Sequence, residues 1–513
     1  MGKVVIICKD RPGFVVNRFF VPWLNEACHL LDEGVASIAQ IDSVAEKAFN
    51  IGMGPFALMN LTGPAIALHA TNYLSEQLNC LRYSGAKSLR ETIENSGMWN
   101  IGKDTECDED TAKIIRERLL GQVFAVSAQI VEEEICSIED VDRGAKVGLR
   151  WAEGPFEIAN KIGIRETIRM AKKYSELAEF KLPKWMEEKE ELFEFNYIDI
   201  DINGKIANIK LNRPEAMNAL NESLVEQLGS ALDSLNSRDD IETIVLEGAG
   251  KAFVAGADVK FFVDKIHEDA IKDIYEFTAY GHEVLNKLEN SEKTTIALTT
   301  GLALGGGLEL ALSCDYRIGT RRSQFRFPET NIGIFPGLGG TQRMPRICGI
   351  EAARYAILAG NFPDSETAFA LGIITHLVEP SDIPSLVDNV SILGKPENKY
   401  PAEPKDKNHP VSSFAMKFYK NENMSDIMSG NIPNDFQMDD KKVIRQMKSL
   451  GFTAPIALNI ANQLLNDAIS TGDDLDKGLK LELDQLDTIF GTKDALEGLS
   501  ALIEGRRPKY QNI

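Results

Sequence analysis

The chain has 513 residues, 43% of them hydrophobic and 26% charged, a composition typical of globular proteins with more than one hydrophobic core. A formal net charge of −21 excludes a broad basic surface for nucleic acid, and no apolar run is long enough to span a membrane. The seven cysteines form no C-x-x-C pair, which argues against a disulfide framework or metal site and favours a cytoplasmic location.

The first nine residues contain a short apolar run, residues 4–8, that is ended by Lys9, Asp10 and Pro12. This run is too short for a secretory signal. We predict that it forms a buried β-strand.

A duplication follows, visible when each position is compared with the position 100 residues later. The Gly-Pro-Phe step at 54–56 recurs at 154–156, and Ser37 and Asn60 recur as Ser137 and Asn160. Both serines precede helical patterns with the spacing of N-caps. We therefore predict two all-helical units, residues 10–95 and 96–180, followed by a charged, solvated helical linker at 181–195.

The hydrophobic period changes to two after Asn196, and a turn signal at Asn203 and Gly204 predicts a β-hairpin. Helical patterns at 223–235 and 271–288 then alternate with buried strands at 243–246 and 294–298, which predicts an α/β core over residues 196–390. Residues 391–450 are expected to be an exposed insertion with low order near 396–410. Residues 451–513 are expected to form C-terminal helices, with Pro508 after the last one.

Glycine-rich segments at 254–258, 304–309 and 336–341 mark the candidate site. Glycines at strand-to-helix turns can direct backbone N–H groups into open space, where they stabilise an oxyanion. Glu309 opens an otherwise apolar helix expected to begin at Leu308, and Glu329 follows an apolar stretch 20 residues later. Burial should raise the pKa of such carboxyl groups and suit them to acid/base work.

These segments belong to a longer series of motifs. The series comprises Arg213-Pro214, Asn218-Ala219-Leu220, Lys251-Ala252-Phe253, Ala255-Gly256-Ala257-Asp258-Val259-Lys260, Ala303-Leu304-Gly305-Gly306-Gly307, Glu309, Cys314-Asp315, Phe327-Pro328-Glu329, Gly333, Pro336-Gly337 and Gly340-Thr341-Gln342-Arg343. In this order and spacing, residues 198–510 resemble the crotonase (enoyl-CoA hydratase/isomerase) family. The resemblance implies an α/β crotonase spiral of ββα repeats with C-terminal helices that form trimers or hexamers.

The resemblance also implies roles for individual residues. The amides of Ala257 and Gly306 would form the oxyanion hole, and Glu309 and Glu329 would be the catalytic acid/base pair. The residues expected at the CoA thioester are Met217, Ala255, Gly256, Asp258, Lys260, Gly305 and Gly337. The substrate would be an acyl-CoA, with no metal and no cofactor required.

The helical third carries a second resemblance, through residues 10–18, Asn25-Glu26-Ala27, Glu33-Gly34 and Gly54-Pro55-Phe56. These residues resemble the C-terminal region of 3-hydroxyacyl-CoA dehydrogenases, in which Asn17 would be the asparagine near the substrate. The NAD-binding half of that family would precede residue 4, so residues 1–9 are interpreted as its last strand. We therefore expect neither NAD binding nor dehydrogenase activity from this chain alone.

The most favoured function is hydration of a 2-enoyl-CoA, because relatives that isomerise or hydrolyse often lack one of the two acids. Two alternatives remain open. The first is Δ3-Δ2-enoyl-CoA isomerisation, which needs only one carboxylate. The second is a subunit that completes a dehydrogenase with a separate NAD-binding protein. Acyl-chain length and pathway, fatty-acid β-oxidation or carbon fixation, are not specified by the motifs.

Overall fold

The computed structural model describes residues 4–95 and 97–512. Their contacts divide the chain into two compact units, residues 4–195 and residues 196–512. No helix within these described residues is both long enough and apolar enough to cross a membrane.

The first unit is all-helical. Its helices are α1 (Val16–Asp32), α2 (Ile38–Phe49), α3 (Pro55–Thr62), α4 (Pro64–Leu78), α5 (Lys87–Asn95), α6 (Glu109–Glu132), α7 (Ile138–Arg143), α8 (Pro155–Ile162), α9 (Ile164–Leu177) and α10 (Lys184–Glu187). Ser37 and Ser137 cap α2 and α7 as the sequence predicts. Trp151 of the second copy packs against Trp23 and Phe49 of the first, with ring centroids 5.7 and 4.7 Å apart, so the two copies share one core.

Equivalent hydrogen bonds explain the repeated Gly-Pro-Phe step. The Asp42 carboxylate accepts from the amides of Phe56 and Ala57, and the Asp142 carboxylate accepts from the corresponding amides in the second copy. A Cβ on Gly54 would lie only 2.5 Å from Asp42 side-chain atoms, and the second copy is equally tight. Glycine at this step therefore lets a buried carboxylate cap the following helix.

Two expectations for the first unit are wrong. Residues 4–8 have irregular backbone, because no strand lies among the described residues of this unit to pair with them. The segment 181–195 is not a solvated helix: it contains only the four-residue α10, and Met186 and Phe193 are buried in the core. Its charged run is exposed, but the apolar residues on either side of that run hold the segment in place.

The second unit contains all nine strands of the described chain. They are β1 (Ile198–Asn203), β2 (Ile206–Leu211), β3 (Thr243–Gly248), β4 (Ala252–Ala255), β5 (Thr294–Thr299), β6 (Leu302–Leu304), β7 (Tyr316–Gly319), β8 (Gln324–Arg326) and β9 (His376–Leu377). The larger sheet has the order β1-β2-β3-β5-β7-β9, and the smaller one has the order β4-β6-β8. The β1–β2 hairpin is antiparallel, and all other pairings are parallel.

Three successive turns of the chain each contribute one strand to the larger sheet and the next strand to the smaller sheet: β3 and β4, β5 and β6, and β7 and β8. The chain thus advances as a spiral, with helices covering the sheets. The helices are α11 (Glu222–Asn236), α12 (Val259–His267), α13 (Ile271–Glu289), α14 (Gly306–Leu312), α15 (Gly340–Cys348), α16 (Ile350–Ile357), α17 (Ser365–Leu371), α18 (Ile383–Leu393), α19 (Pro410–Phe418), α20 (Asn421–Met428), α21 (Lys441–Leu450), α22 (Pro455–Ser470), α23 (Leu475–Leu483), α24 (Leu486–Phe490) and α25 (Lys493–Ile503).

The segment expected to be an exposed insertion with low order is largely exposed over residues 396–410, but Lys399 and Tyr400 anchor it to the core, and α19, α20 and α21 follow it. Lys399 is largely buried and donates to the Ser313 carbonyl oxygen (2.7 Å), while it pairs with Glu289 at 2.8 Å. The Tyr400 hydroxyl donates to the same carboxylate at 2.7 Å. Glu289 also pairs with the fully buried Arg343, and these buried charges need such partners, which fixes the irregular segment.

Candidate active site

A cavity of about 440 Å³ lies where β4 and β6 end, within the second unit. Its walls are mainly apolar and include Phe262 and Phe277 from α12 and α13. Phe490 and Leu499, from the C-terminal helices, complete the apolar wall. The amphipathic pattern predicts these helices but not which of their residues face the cavity, so the sequence did not identify these wall residues.

Glu309 reaches the cavity from the first turn of α14, which begins at Gly306 rather than at Leu308 as predicted. Only 1% of Glu309 is exposed. Its Oε1 atom accepts hydrogen bonds from the amides of Leu338 (2.8 Å) and Gly340 (2.7 Å). Burial raises the pKa of Glu309, as do the charges of Glu482 and Glu329, while the two amides act in the opposite direction.

Glu329 lines the same cavity and begins the short 3₁₀ turn Glu329–Ile332. Its Oε2 atom is shielded from solvent and has no hydrogen-bond partner among the described residues. Burial raises the pKa of Glu329 to about 8. Gly305, with φ +47°, makes room for this side chain, because a Cβ there would lie 2.2 Å from Glu329 Oε1.

Two backbone amides meet at the wall of the cavity. Gly306 is the first residue of α14, so its N–H has no acceptor within the helix. Leu220 bonds to the Gly256 oxygen (2.9 Å) and to the Asp258 amide (2.8 Å), which turns the intervening N–H of Ala257 to the opposite side of the strand. A Cβ built on Gly306 would lie 3.8 Å from the Ala257 nitrogen, so the two amides are neighbours.

A third buried acid, Glu482 of α23, supports this arrangement. Its carboxylate accepts hydrogen bonds from the Gly339 amide (2.6 Å) and the Thr341 hydroxyl. His282 Nε2 lies 3.3 Å from Glu482 Oε1. Because Gly339 stands between the two amides that bind Glu309, Glu482 fixes the loop that holds Glu309. Sequence reasoning missed Glu482, since it is 143 residues from Gly339 and belongs to an ordinary amphipathic helix.

Most residues expected at the thioester line the cavity, and two do not. Those on its wall are Met217, Ala255, Gly256, Gly305 and Gly337, together with Ala257 and Gly306. Asp258 instead forms an ion pair with Arg213 at 3.0 Å, and Lys260 is an exposed residue in the first turn of α12. Asn218, of the motif Asn218-Ala219-Leu220, is fully buried and donates to the carbonyl oxygens of Ala249, Ala252 and Phe253.

Asn17 lies in the first unit, in a separate cleft of about 380 Å³. The other polar side chains of that cleft belong to Asp10, Arg11 and Tyr73. Asn17 is exposed in this cleft, in the first turn of α1. Asn17 is not among the described residues that line the cavity with Glu309 and Glu329.

Comparison with known families identifies both parts of the chain. Residues 206–512, more than half of the chain, match the family described as "Enoyl-CoA hydratase/isomerase". Residues 13–100 and 115–199 match the description "3-hydroxyacyl-CoA dehydrogenase, C-terminal domain". The chain therefore belongs to the enoyl-CoA hydratase/isomerase family, and its duplicated helical region matches the C-terminal domain of 3-hydroxyacyl-CoA dehydrogenases. Both resemblances predicted from the sequence are confirmed.

Individual relatives agree with this assignment. A crotonyl-CoA hydratase from Syntrophomonas wolfei is 28% identical over 317 residues, which are 62% of this chain and 98% of that protein. A short-chain-enoyl-CoA hydratase from Clostridium acetobutylicum is 28% identical over 61% of this chain and 97% of its own length. The crystal structure of a carnitinyl-CoA dehydratase from Mycobacterium thermoresistibile has a TM-score of 0.53 at 20% identity, over 62% of this chain and 92% of that chain. The predicted crotonase fold is thereby confirmed.

Proposed function

We propose that the second unit hydrates 2-enoyl-CoA thioesters to 3-hydroxyacyl-CoA. The observation that carries the proposal is one apolar cavity bordered by two buried carboxyl groups, Glu309 and Glu329, and by the neighbouring backbone amides of Ala257 and Gly306. This unit matches nearly the whole length of two relatives that are named as hydratases, which supports the same reaction.

The thioester carbonyl oxygen accepts hydrogen bonds from the amides of Ala257 and Gly306. Attack at C3 moves the electrons of the C2–C3 double bond towards this oxygen, which gains enolate character. The fixed amides stabilise that charge more strongly in the transition state than in the substrate. Removing one such donor typically costs about 2.7–4 kcal/mol of barrier.

The two acids take different protonation states. Glu309 takes the ionised role although burial raises its pKa, because two backbone amides donate to its Oε1 atom and stabilise the carboxylate. Glu329 has the protonated role, because its shielded Oε2 atom lacks a partner and its pKa lies above neutrality. Water bound between them gives a proton to Glu309 as its oxygen bonds to C3, and Glu329 delivers a proton to C2. Proton exchange through solvent then restores both acids.

The test is hydration of crotonyl-CoA by the full chain and by Glu309→Gln and Glu329→Gln. Each variant should lower kcat by about 10²–10⁴-fold, the usual contribution of a positioned acid or base. Glu226→Gln, at an exposed position on α11, is the matched control and should behave as wild type. Full hydration by either active-site variant, or conversion of 3-enoyl-CoA without any hydration by wild type, would refute the proposed reaction.

A further inference from the structure

A second cleft, of about 560 Å³, adjoins the catalytic cavity and has a cationic lining. Arg326, Arg445 and Arg507 line it, and none of the described residues in its lining is acidic. Arg326, Asn331 and Phe362 line both the cleft and the cavity, so the two spaces share a wall. Three arginines without a carboxylate are unexpected in a chain whose net charge is −21.

None of these arginines forms an ion pair with another described residue, and the one carboxyl group whose charge acts on Arg326 is the buried Glu329. The half-buried Arg326 donates to the Gly360 carbonyl oxygen (2.9 Å) and to Asn331 Oδ1 (3.0 Å), which are uncharged acceptors. Arg507 lies over the Phe452 ring, 5.9 Å from its centroid, and Arg445 forms no ion pair among the described residues. Three cations held around one cleft favour the binding of an anion there.

The neighbouring Arg506 shows the contrast. Its guanidinium pairs with Glu497 at 2.6 Å and also with Glu504. The chain therefore provides carboxylate partners for the arginine next to Arg507, whereas none of the three arginines of the cleft is hydrogen-bonded to a carboxylate of the described residues.

The small sheet fixes the position of the cleft relative to the reacting atoms. Its strand order is β4-β6-β8, and Leu304 is paired with Ala255 on one side and with Arg326 on the other. Ala255 and Arg326 therefore lie at opposite edges, about 10 Å apart, given the usual spacing of paired strands. The oxyanion amide of Gly306 follows β6, the central strand, so an acyl chain that runs from the β4 side past Gly306 approaches Arg326.

We propose that the cationic cleft binds a carboxylate at the far end of the acyl chain, so that the preferred substrates are 2-enoyl-CoA thioesters with a terminal carboxylate. This inference rests on the proposed hydratase function. A carboxylate would accept charge-assisted hydrogen bonds from the arginine side chains, which an uncharged alkyl end cannot do. Arg326 lines both the cleft and the catalytic cavity, whereas the positive charges of Arg445 and Arg507 lie in the cleft alone.

The test compares the CoA monothioesters of 2-enedioic acids of five to eight carbons with uncharged 2-enoyl-CoAs of the same length. Wild type should show at least tenfold higher kcat/KM for the carboxylated member of at least one pair. The double variant Arg445→Gln/Arg507→Gln should lose this preference and keep its kcat/KM for the uncharged member. Arg506→Gln is the matched control, because it removes a neighbouring cation that is already paired, and it should keep the preference.

Calorimetric binding of adipyl-CoA and hexanoyl-CoA gives a readout that needs no turnover. Wild type should bind adipyl-CoA more tightly, and the double variant should bind both equally. If the double variant lost the same fraction of its affinity for both ligands, the cleft would bind a CoA phosphate, and the inference would be overturned. Equal affinity of wild type for the two ligands would also overturn it. Tighter binding of adipyl-CoA by a protein that hydrates neither crotonyl-CoA nor the CoA monothioesters of 2-enedioic acids would refute the hydratase proposal and leave the carboxylate site standing.

Discussion

Glu482 offers the sharpest test of how the catalytic loop is held. The Gly339 amide donates to its carboxylate, and the amides on either side of Gly339 donate to Glu309. Glu482→Ala removes the acceptor for the buried Gly339 amide and for the Thr341 hydroxyl, and it leaves a small cavity. We therefore expect Glu309 to lose its fixed position.

The expected size of the effect follows from these contacts. An unsatisfied buried donor costs about 1–3 kcal/mol, so Glu482→Ala should lower the free energy of unfolding by roughly 2–4 kcal/mol with the hydroxyl included. A displacement of catalytic groups by about 1 Å can cost 10²-fold in rate, so kcat should fall by about that factor. Glu482→Gln keeps an oxygen that accepts from the Gly339 amide, so this variant should retain most of the free energy of unfolding and most of kcat.

The glutamine variant separates charge from structure. The Glu482 charge raises the pKa of both Glu309 and Glu329, so its removal should lower both values and move both limbs of the pH–rate profile to lower pH. The assay follows the ultraviolet absorbance of the enoyl thioester across pH, with Asp484→Asn, an exposed position two residues away, as the control. An unshifted profile in Glu482→Gln, or wild-type kcat in Glu482→Ala, would refute the reasoning.

Three further predictions follow from single contacts. Gly305→Ala should lower kcat at least about 100-fold, because its Cβ would lie 2.2 Å from Glu329 Oε1. The control Gly430→Ala, at φ +79° with no atom within 4 Å of the added Cβ, should leave kcat unchanged, and the same kcat in both variants would contradict the steric argument. For wild type, kcat should fall as pH rises through about 8, since burial raises the Glu329 pKa and ionisation removes the proton it delivers; a rate that increases above pH 8 would contradict this role. Asp142→Ala should lower the free energy of unfolding in urea by about 2–4 kcal/mol, because two amides at the start of α8 lose their acceptor, and Asp142→Asn should lose less; no change would show that the cap is dispensable.

Local signals in the sequence were enough for much of the secondary structure and for part of the site. The change of period at residue 196 marks the change from helices to strands, and the β1–β2 hairpin forms at the predicted turn. Ser37 and Ser137 cap helices because this interaction spans only three residues. The same kind of signal gave a wrong prediction for residues 4–8. An apolar run indicates burial, but a β-strand forms only where another strand is present to pair with it.

The sequence by itself determined the two-part organisation, the duplication and the motifs that contain Glu309 and Glu329, because each of these is encoded in short-range spacing. Only the tertiary structure decided that Glu482 fixes the loop holding Glu309, that Asp258 pairs with Arg213, and that Arg326 and Arg507 line one cleft. Such contacts join residues far apart in the chain. They depend on how the helices pack across the sheets, which hydrophobic periodicity leaves open because it specifies a buried face and not its partner.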